Sequence, residues 1–406
     1  KEDANLDFHG LLPVEINGQI EETSDLVRRR WLENNFYALS ANANYKDQNW
    51  DTTTGIFYSY YEGLHFGEVI WATNFTGANL GDRYYDGTGD KQEFTAFSKA
   101  TYQVTNSLSF FGDLQMRVVD YKTAGLTSDK VNMVVDEQYA FFNPKFGASY
   151  TLNKGNQLYV SYGRASREPR RSDFEQGVFT PEILDDYEIG WRFAGENITL
   201  STNLYYMDYK DQLVLTGQLD DSGGFIRETS GTSYRAGLEV DADFRVSKQL
   251  HVRPNIALSS NKNKEFITST DGQLVNLGTT NISFSPSFIA GNSIEYSPTE
   301  NFQVALLSKY VGQQYMGNID SQTSKLDAYF LNDFSINYTI RKLSFAKSLV
   351  LQGLVNNIFD VKYISNGYFF TYDDDFSSPG TITTIEGAGF YPQAGINFLV
   401  GATLTF

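Results

Sequence analysis

The sequence contains no cysteine, which rules out disulfides and thiolate metal sites. Proline is scarce, at 9 residues against 34 glycines, a balance that suits many long strands joined by tight turns. No stretch approaches the ~18–20 consecutive apolar residues that a membrane-spanning helix needs. Mean hydropathy is -0.36, so a polytopic helical membrane protein is excluded. A barrel is not excluded, because its strands hide half their side chains from any hydropathy window. Basic residues number 32 against 49 acidic ones, giving a net charge of -17. That balance argues against nucleic acid as a partner and against a polybasic membrane anchor. Residues 1–30 lack the basic start and apolar core of a signal peptide.

What is abundant is aromatic. Tyrosine and phenylalanine number 27 and 31 in 406 residues, and these side chains build the interfacial girdles of membrane barrels. The closing stretch, Tyr391 to Phe406, shows the pattern plainly. Ile396, Phe398, Val400, Ala402, Leu404 and Phe406 are apolar, and the residues between them are mostly small or polar. Period two defines a strand with two different faces. The same alternation separates Tyr234, Ala236, Leu238, Val240, Ala242 and Phe244 from Arg235, Glu239, Asp241, Asp243 and Arg245.

Short turns alternate with long loops along the chain. Strands are expected around 31–45 and 56–60, then, after a long loop from about Glu62 to Asp90, around 92–105, 107–120, 136–151 and 156–167. Further strands follow around 183–194, 197–216, 224–244, 248–261, 283–297, 301–316, 326–340 and 347–358. A loop from about Asp360 to Gly387 precedes the closing strand. Tight turns on one side and extended loops on the other are the signature of a transmembrane antiparallel β-barrel. The fold class is therefore all-β, with about 15 strands at ~9–11 residues per crossing. An odd number leaves two unpaired edges in lipid. A strand at 31–45 that descends from a long loop also implies strands before it. The expectation is a C-terminal barrel segment, with residues 1–30 as an extracellular loop and 31–406 as barrel.

Several motifs then stand in order. Val355-Asn356-Asn357-Ile358-Phe359-Asp360-Val361-Lys362-Tyr363, the Tyr391-Pro392-Gln393 run and the closing strand resemble the final segments of TonB-dependent outer-membrane receptors. Ser161 to Pro169, Asp186 to Gly190 and Asn203 to Gln212 resemble mid-barrel stretches of the iron-complex branch of that family. The resemblance implies a barrel of roughly 22 strands with an internal plug and a TonB-contacting box, of which the plug and first strands are absent here. It implies the Gram-negative outer membrane, crossed many times, with membrane lipid, the TonB complex and a small nutrient ligand as partners. A ferric siderophore is the first expectation, ahead of cobalamin, haem or an oligosaccharide. The alternative is a receptor-like barrel serving as structural subunit of a larger outer-membrane complex, with a surface lipoprotein as partner.

Candidate ligand contacts are Arg167 and Arg171 beside Arg170, since arginine suits carboxylate and catecholate oxygens. Salt-bridging of Arg167 to Asp186 or Glu188 is the competing and favoured role. Loop residues Trp71, Tyr84, Tyr85, Gln313, Tyr315, Tyr368, Phe369 and Phe370 are candidates to grip an amphipathic ligand, or simply to pack. Asp186, Glu188, Arg235, Glu239 and Arg253 are expected to form a charge network on the lumen face. His9, His65 and His251 make no case for haem. Asp373-Asp374-Asp375 lacks calcium-loop spacing and reads as a solvated acidic loop. No catalytic constellation, phosphate loop or zinc spacing appears, so neither an enzyme nor a cofactor is expected.

Overall fold

A computed structural model describes residues 2–219, 224–341 and 343–406. Fifteen long strands succeed one another in sequence order in one antiparallel sheet, with a short sixteenth strand, Thr280–Asn281, at one side. We label them β1 (Leu26–Lys46), β2 (Trp50–Ala72), β3 (Arg83–Gln103), β4 (Leu108–Leu126), β5 (Asn132–Asn153), β6 (Asn156–Arg167), β7 (Glu182–Ala194) and β8 (Ile198–Lys210). The series continues with β9 (Thr232–Arg245), β10 (Leu250–Asn263), β11 (Phe288–Thr299), β12 (Phe302–Val311), β13 (Tyr329–Arg341), β14 (Ser348–Asn356) and β15 (Asn397–Thr405). Every strand pairs with its sequence neighbour, as short hairpin turns demand. The outer edges of β1 and β15 carry no further strand among the described residues.

Two expectations change. β1 begins at Leu26 rather than near Trp31, and β2 and β3 run through most of the stretch read as a loop from Glu62 to Asp90. The charges that suggested a loop are carried on strands because they pair across them: Arg29 meets Glu68 at 2.7 Å. The N-terminal segment is also not merely a polar loop. Leu6 and Leu11 are buried with Leu26, Val69, Tyr84 and Tyr85 in one apolar cluster.

The chain divides into two compact units. The first holds residues up to Thr101 with Asp113–Pro144 and Glu168–Phe179; the second holds Tyr102–Gly112, Lys145–Arg167 and Thr180–Phe406. In the second unit, register converts the period-two pattern into rows. Ala148, Val160, Ile189, Leu204, Leu238, Leu258 and Phe288 lie side by side across β5 to β11. The next row toward the long loops is Phe146, Tyr162, Tyr187 and Tyr206. The row beyond it is Arg164, Asp185, Asp208, Tyr234 and Lys262. Apolar band, aromatic girdle and charged rim follow in the order that a bilayer imposes on the lipid face of a barrel. The opposite face of the same strands carries Ser161, Glu188, Tyr205, Gly237 and Ser259 in one register row and Asn203, Glu239 and Ala257 in another, and is the polar inner face.

Candidate functional site

On the first unit the inner face is held by buried charge. Arg117 on β4 donates to Glu93 on β3 through Nε and Nη2, at 2.8 and 2.9 Å. It donates to Glu168 through Nη1 and Nη2, at 2.7 and 2.9 Å. Lys91 reaches Glu168 at 2.6 Å. Burial works to raise the Glu168 carboxyl, but the hydrogen bonds from Arg117 and Lys91 outweigh it and bring it down to about 2. Glu168 is the acid of the Arg167-Glu168-Pro169 stretch, so this quartet fixes where the chain leaves β6.

A short helix, α1 (Arg171–Glu175), follows. Asp173 caps it by accepting the Arg170 backbone N–H at 2.8 Å. Gly177, at φ 76°, provides the left-handed residue just past its end. Phe174 buries against Val119, Met133, Val135, Tyr139 and Phe141, docking the helix on the inner side of β4 and β5. Arg171, expected at a ligand, is instead a strut. It donates to the Thr88 carbonyl at 3.0 Å and to Thr123, pairs with Glu175 at 3.2 Å, and its side chain is 12% exposed. Arg28 and Arg30 extend this cationic face, donating to the Tyr84 hydroxyl and the Ser128 hydroxyl at 3.2 and 3.0 Å. Tyr85 is only 5% exposed in the apolar cluster and has no surface to offer a ligand. Trp71 remains half exposed at the end of β2.

The second unit is arranged differently. Arg167 does form a salt bridge, but to Glu182 at 3.4 Å rather than to Asp186 or Glu188. Register is the reason: Glu182 stands directly opposite Arg167, whereas Asp186 and Glu188 stand opposite Gly163 and Ser161. The expected network is likewise not a single one. Arg253 pairs with Asp243 at 2.9 Å and with Glu295, near the short-turn end. Arg235 donates to the Ser285 hydroxyl at 2.9 Å. Among the described residues, Asp186, Glu188 and Glu239 have no cation within ion-pair distance.

At the long-loop end of this unit a cleft of about 470 Å³ is lined by Lys325, Tyr329, Lys362, Tyr363, Phe390 and Gln393. Its placement comes from the Asn357 to Tyr363 motif. Asn357 and Asp360 both take φ near 50°, as short polar side chains tolerate. The Asn357 side chain accepts from Val361 N–H and donates to the Val361 carbonyl, each at 2.9 Å. Asp360 accepts the Ile396 N–H at 2.9 Å and the Lys362 ammonium at 3.0 Å. The exit from β14 is thereby tied to the entry of β15, and Tyr363 is set against Tyr329 with ring centroids 4.8 Å apart.

Beside the cleft, the stretch read as a loop from Asp360 to Gly387 is largely a hairpin, Ile364–Asp374 with Thr383–Pro392. Phe369 buries one side of it against Met316 and Leu326. Tyr368, Phe370 and Tyr372 line the other side as near-parallel rings, each 6.3 Å from the next. Tyr315 lies on the strand pair that carries Lys325, and Gln313 is exposed just before it. Of the expected contacts, Tyr315 pairs with Lys325 and Tyr368 lies on the neighbouring hairpin opposite Gly389, and neither lines the cleft itself. The residues lining it were missed as a group, although Lys362, Tyr363 and Gln393 fall inside motifs that the sequence displays.

This fold meets known proteins at one family. Residues 5–358 match the model for the TonB dependent receptor-like β-barrel, and the chain belongs to that family, whose members are outer-membrane proteins of Gram-negative bacteria. It is similar to the ferrioxamine receptor of Yersinia enterocolitica, 25% identical over 226 residues, covering 55% of this chain and 30% of that receptor. It is also similar to the ferripyoverdine receptor of Pseudomonas aeruginosa, 28% identical over 168 residues, covering 41% of this chain and 18% of that one. Among solved structures, the ferric-catecholate import receptor Fiu of K12 E. coli superposes with a TM-score of 0.64 at 16% identity, over 95% of this chain and 56% of that one. The chain thus spans about a third of the first of these curated relatives and just over half of the solved receptor. The family is one of receptor barrels rather than of enzymes.

Proposed function

We propose that this chain forms part of the wall and mouth of an outer-membrane receptor for TonB-energised uptake of a ferric siderophore. Its barrel strands cross the outer membrane, and the long loops stand outside. The cleft lined by Lys325, Lys362, Tyr329 and Tyr363 is the observation that carries the reading. Ammonium groups beside a close tyrosine pair suit a chelate whose iron is wrapped in oxygen donors and apolar rings. Siderophore receptors among the relatives support the same ligand class.

Growth of a deletion strain on single iron sources tests it. Loss of growth on one ferric siderophore, restored by the intact gene and not by a Tyr329→Ala, Tyr363→Ala variant, is the expected result. An unchanged growth profile across hydroxamate, catecholate and citrate iron sources would remove the proposal.

A further inference from the structure

The hairpin of Ile364–Asp374 with Thr383–Pro392 has two unlike sides. On one, Gly367, Phe369 and Thr371 stand opposite Phe390, Ala388 and Glu386. Phe390 reaches the cleft, Phe369 is buried on Met316 and Leu326, and Glu386 accepts from the Ser321 hydroxyl. The alternate positions read Asn366, Tyr368, Phe370, Tyr372 and Asp374, an aromatic row with a polar residue at each end. Tyr391, Gly389, Gly387, Ile385 and Thr383 stand across from them. Period two places this row on the side away from the cleft.

The row is a flat surface. Tyr368 and Phe370 are inclined by only 16°, Phe370 and Tyr372 by 20°, and Tyr391 extends the row with its ring 6.0 Å from Tyr368. Glycine makes this possible, because a Cβ at Gly387 or Gly389 would collide with the Phe370 or Tyr368 ring. One face of each ring covers bare backbone, and the other is left outward. Phe370 and Tyr372 are 36% and 47% exposed, and among the described residues the Tyr368 and Tyr372 hydroxyls have no hydrogen-bond partner. An exposed apolar strip rimmed by polar side chains marks an interaction site.

Charge and shape narrow the occupant. Residues 364–392 hold four acidic side chains, Asp373, Asp374, Asp375 and Glu386, and no lysine or arginine, so an anionic ligand is repelled. A protein partner anchors its side chains in pockets, whereas this row is level. A chain of neutral sugar rings fits both conditions. Its axial C–H groups stack on the negative ring faces, and its hydroxyls meet the free phenols, Asn366 and Asp374. We propose that this side of the hairpin holds a soluble, neutral, β-linked glucan chain, captured outside the cleft rather than imported through it. A straight aromatic row matches a flat ribbon of sugars and not a curled α-linked one.

The test is isothermal titration calorimetry of the intact protein in detergent. The probes are cellohexaose, its curled counterpart maltohexaose, the acidic chain hexagalacturonate, and octalysine. Binding of cellohexaose above all others is expected, weakened roughly fivefold in Phe370→Ala by the loss of one stacking face. It should be lost in the double variant Tyr368→Ala, Tyr372→Ala. Phe370→Tyr keeps a flat ring and should bind normally, which separates stacking from the stability of the hairpin. The cleft variant Tyr329→Ala, Tyr363→Ala should also bind normally, so failure of the siderophore reading leaves this one standing. No binding of cellohexaose, equal binding of maltohexaose, or a preference for either charged probe would overturn the proposal. So would binding that ignores the row substitutions, or that disappears in the cleft variant.

Discussion

The inner faces of the two units solve the problem of charge in opposite ways. In the first, Arg117 lies between Glu93 and Glu168 with its side chain 17% exposed, and each carboxylate is answered by a cation within 3 Å. In the second, Asp186, Glu188 and Glu239 point to the inner face with no cation in reach, and Arg235 is satisfied by neutral oxygens. A closed ion quartet is a structural device: every carboxylate oxygen accepts from a cation and the two charges of each sign balance. Uncompensated carboxylates remain affordable only in wet surroundings, where solvent or a partner surface answers them. The lesson is that abundant arginine on an inner face is not itself a sign of an anion site. Arg117 and Arg171 are consumed by the fold, whereas the lysines of the open cleft pair only with exposed carboxylates, Lys362 with Asp360 and Lys325 with Asp327.

The comparison breaks first at Arg117. Replacing it with Met leaves Glu93 and Glu168 buried with only Lys91 between them, and the expected loss is about 3–5 kcal/mol. Arg253→Met breaks two part-exposed ion pairs, to Asp243 and Glu295, and is expected to cost about 1 kcal/mol. Urea unfolding of both variants, read by the heat-dependent gel shift, checks the contrast; equal losses would mean the quartet is no tighter than a surface pair.

Acid sharpens it next. The Glu168 carboxyl titrates at about 2 in the fold against an ordinary value of 4.5. A depressed value stabilises the folded state above pH 4.5, and that contribution is lost as the pH falls from 4.5 through 2. The quantity at stake is roughly 3 kcal/mol. Stability measured from pH 6 to pH 2 should therefore show a steep acid limb that is missing in Glu168→Gln.

A contrary titration is expected in the second unit. Glu228 lies on the hairpin Leu213–Leu219 with Phe225–Thr229, beside Thr216, Gln218 and Asn318, and burial pushes its carboxyl up to about 7. A raised carboxyl works in the opposite sense to Glu168: the hairpin is fully stable below pH 4.5 and weakens as the pH rises through 7. Glu228→Gln should protect the hairpin from protease at pH 8 and change little at pH 5. Equal protection at both values would show that its charge is not what loosens the hairpin.

These contrasts bear on how far the sequence could be read. The strand succession and the two faces were legible, because period two and the short turns are local properties. Strand ends were less so: Arg28 to Arg30 and Glu68 look like loop, yet cross-strand pairing carries them. Which cation meets which carboxylate was not legible at all. Arg167 was assigned to Asp186 or Glu188 because all three share a face, and only the register reveals Glu182 as its neighbour. The burial of Tyr85 was hidden for a similar reason, since the residues packed around it come from as far away as Leu6. The cleft was visible only as disconnected motifs. Lys325, Lys362 and Gln393 are brought together by the Asn357 and Asp360 turn, and no spacing rule announces that.

The smallest expected effect concerns the hairpin beside the cleft. Gly387 and Gly389 stand opposite Phe370 and Tyr368, and a Cβ added at Gly387 would lie 2.4 Å from the Phe370 ring. The rings therefore lie flat over bare backbone, covering the strand where glycine leaves it uncovered. Phe370→Ala should cost about 0.5–1 kcal/mol by removing the ring between Tyr368 and Tyr372. Gly387→Ala should cost a comparable amount by displacing that ring. If the two positions are matched, the double variant loses less than the sum, because without the ring the new methyl has room. Amide exchange across Ile364–Pro392 reads all three variants. Strict additivity would show that the aromatic row and the glycines facing it are independent, and that the row is merely a consequence of strand composition.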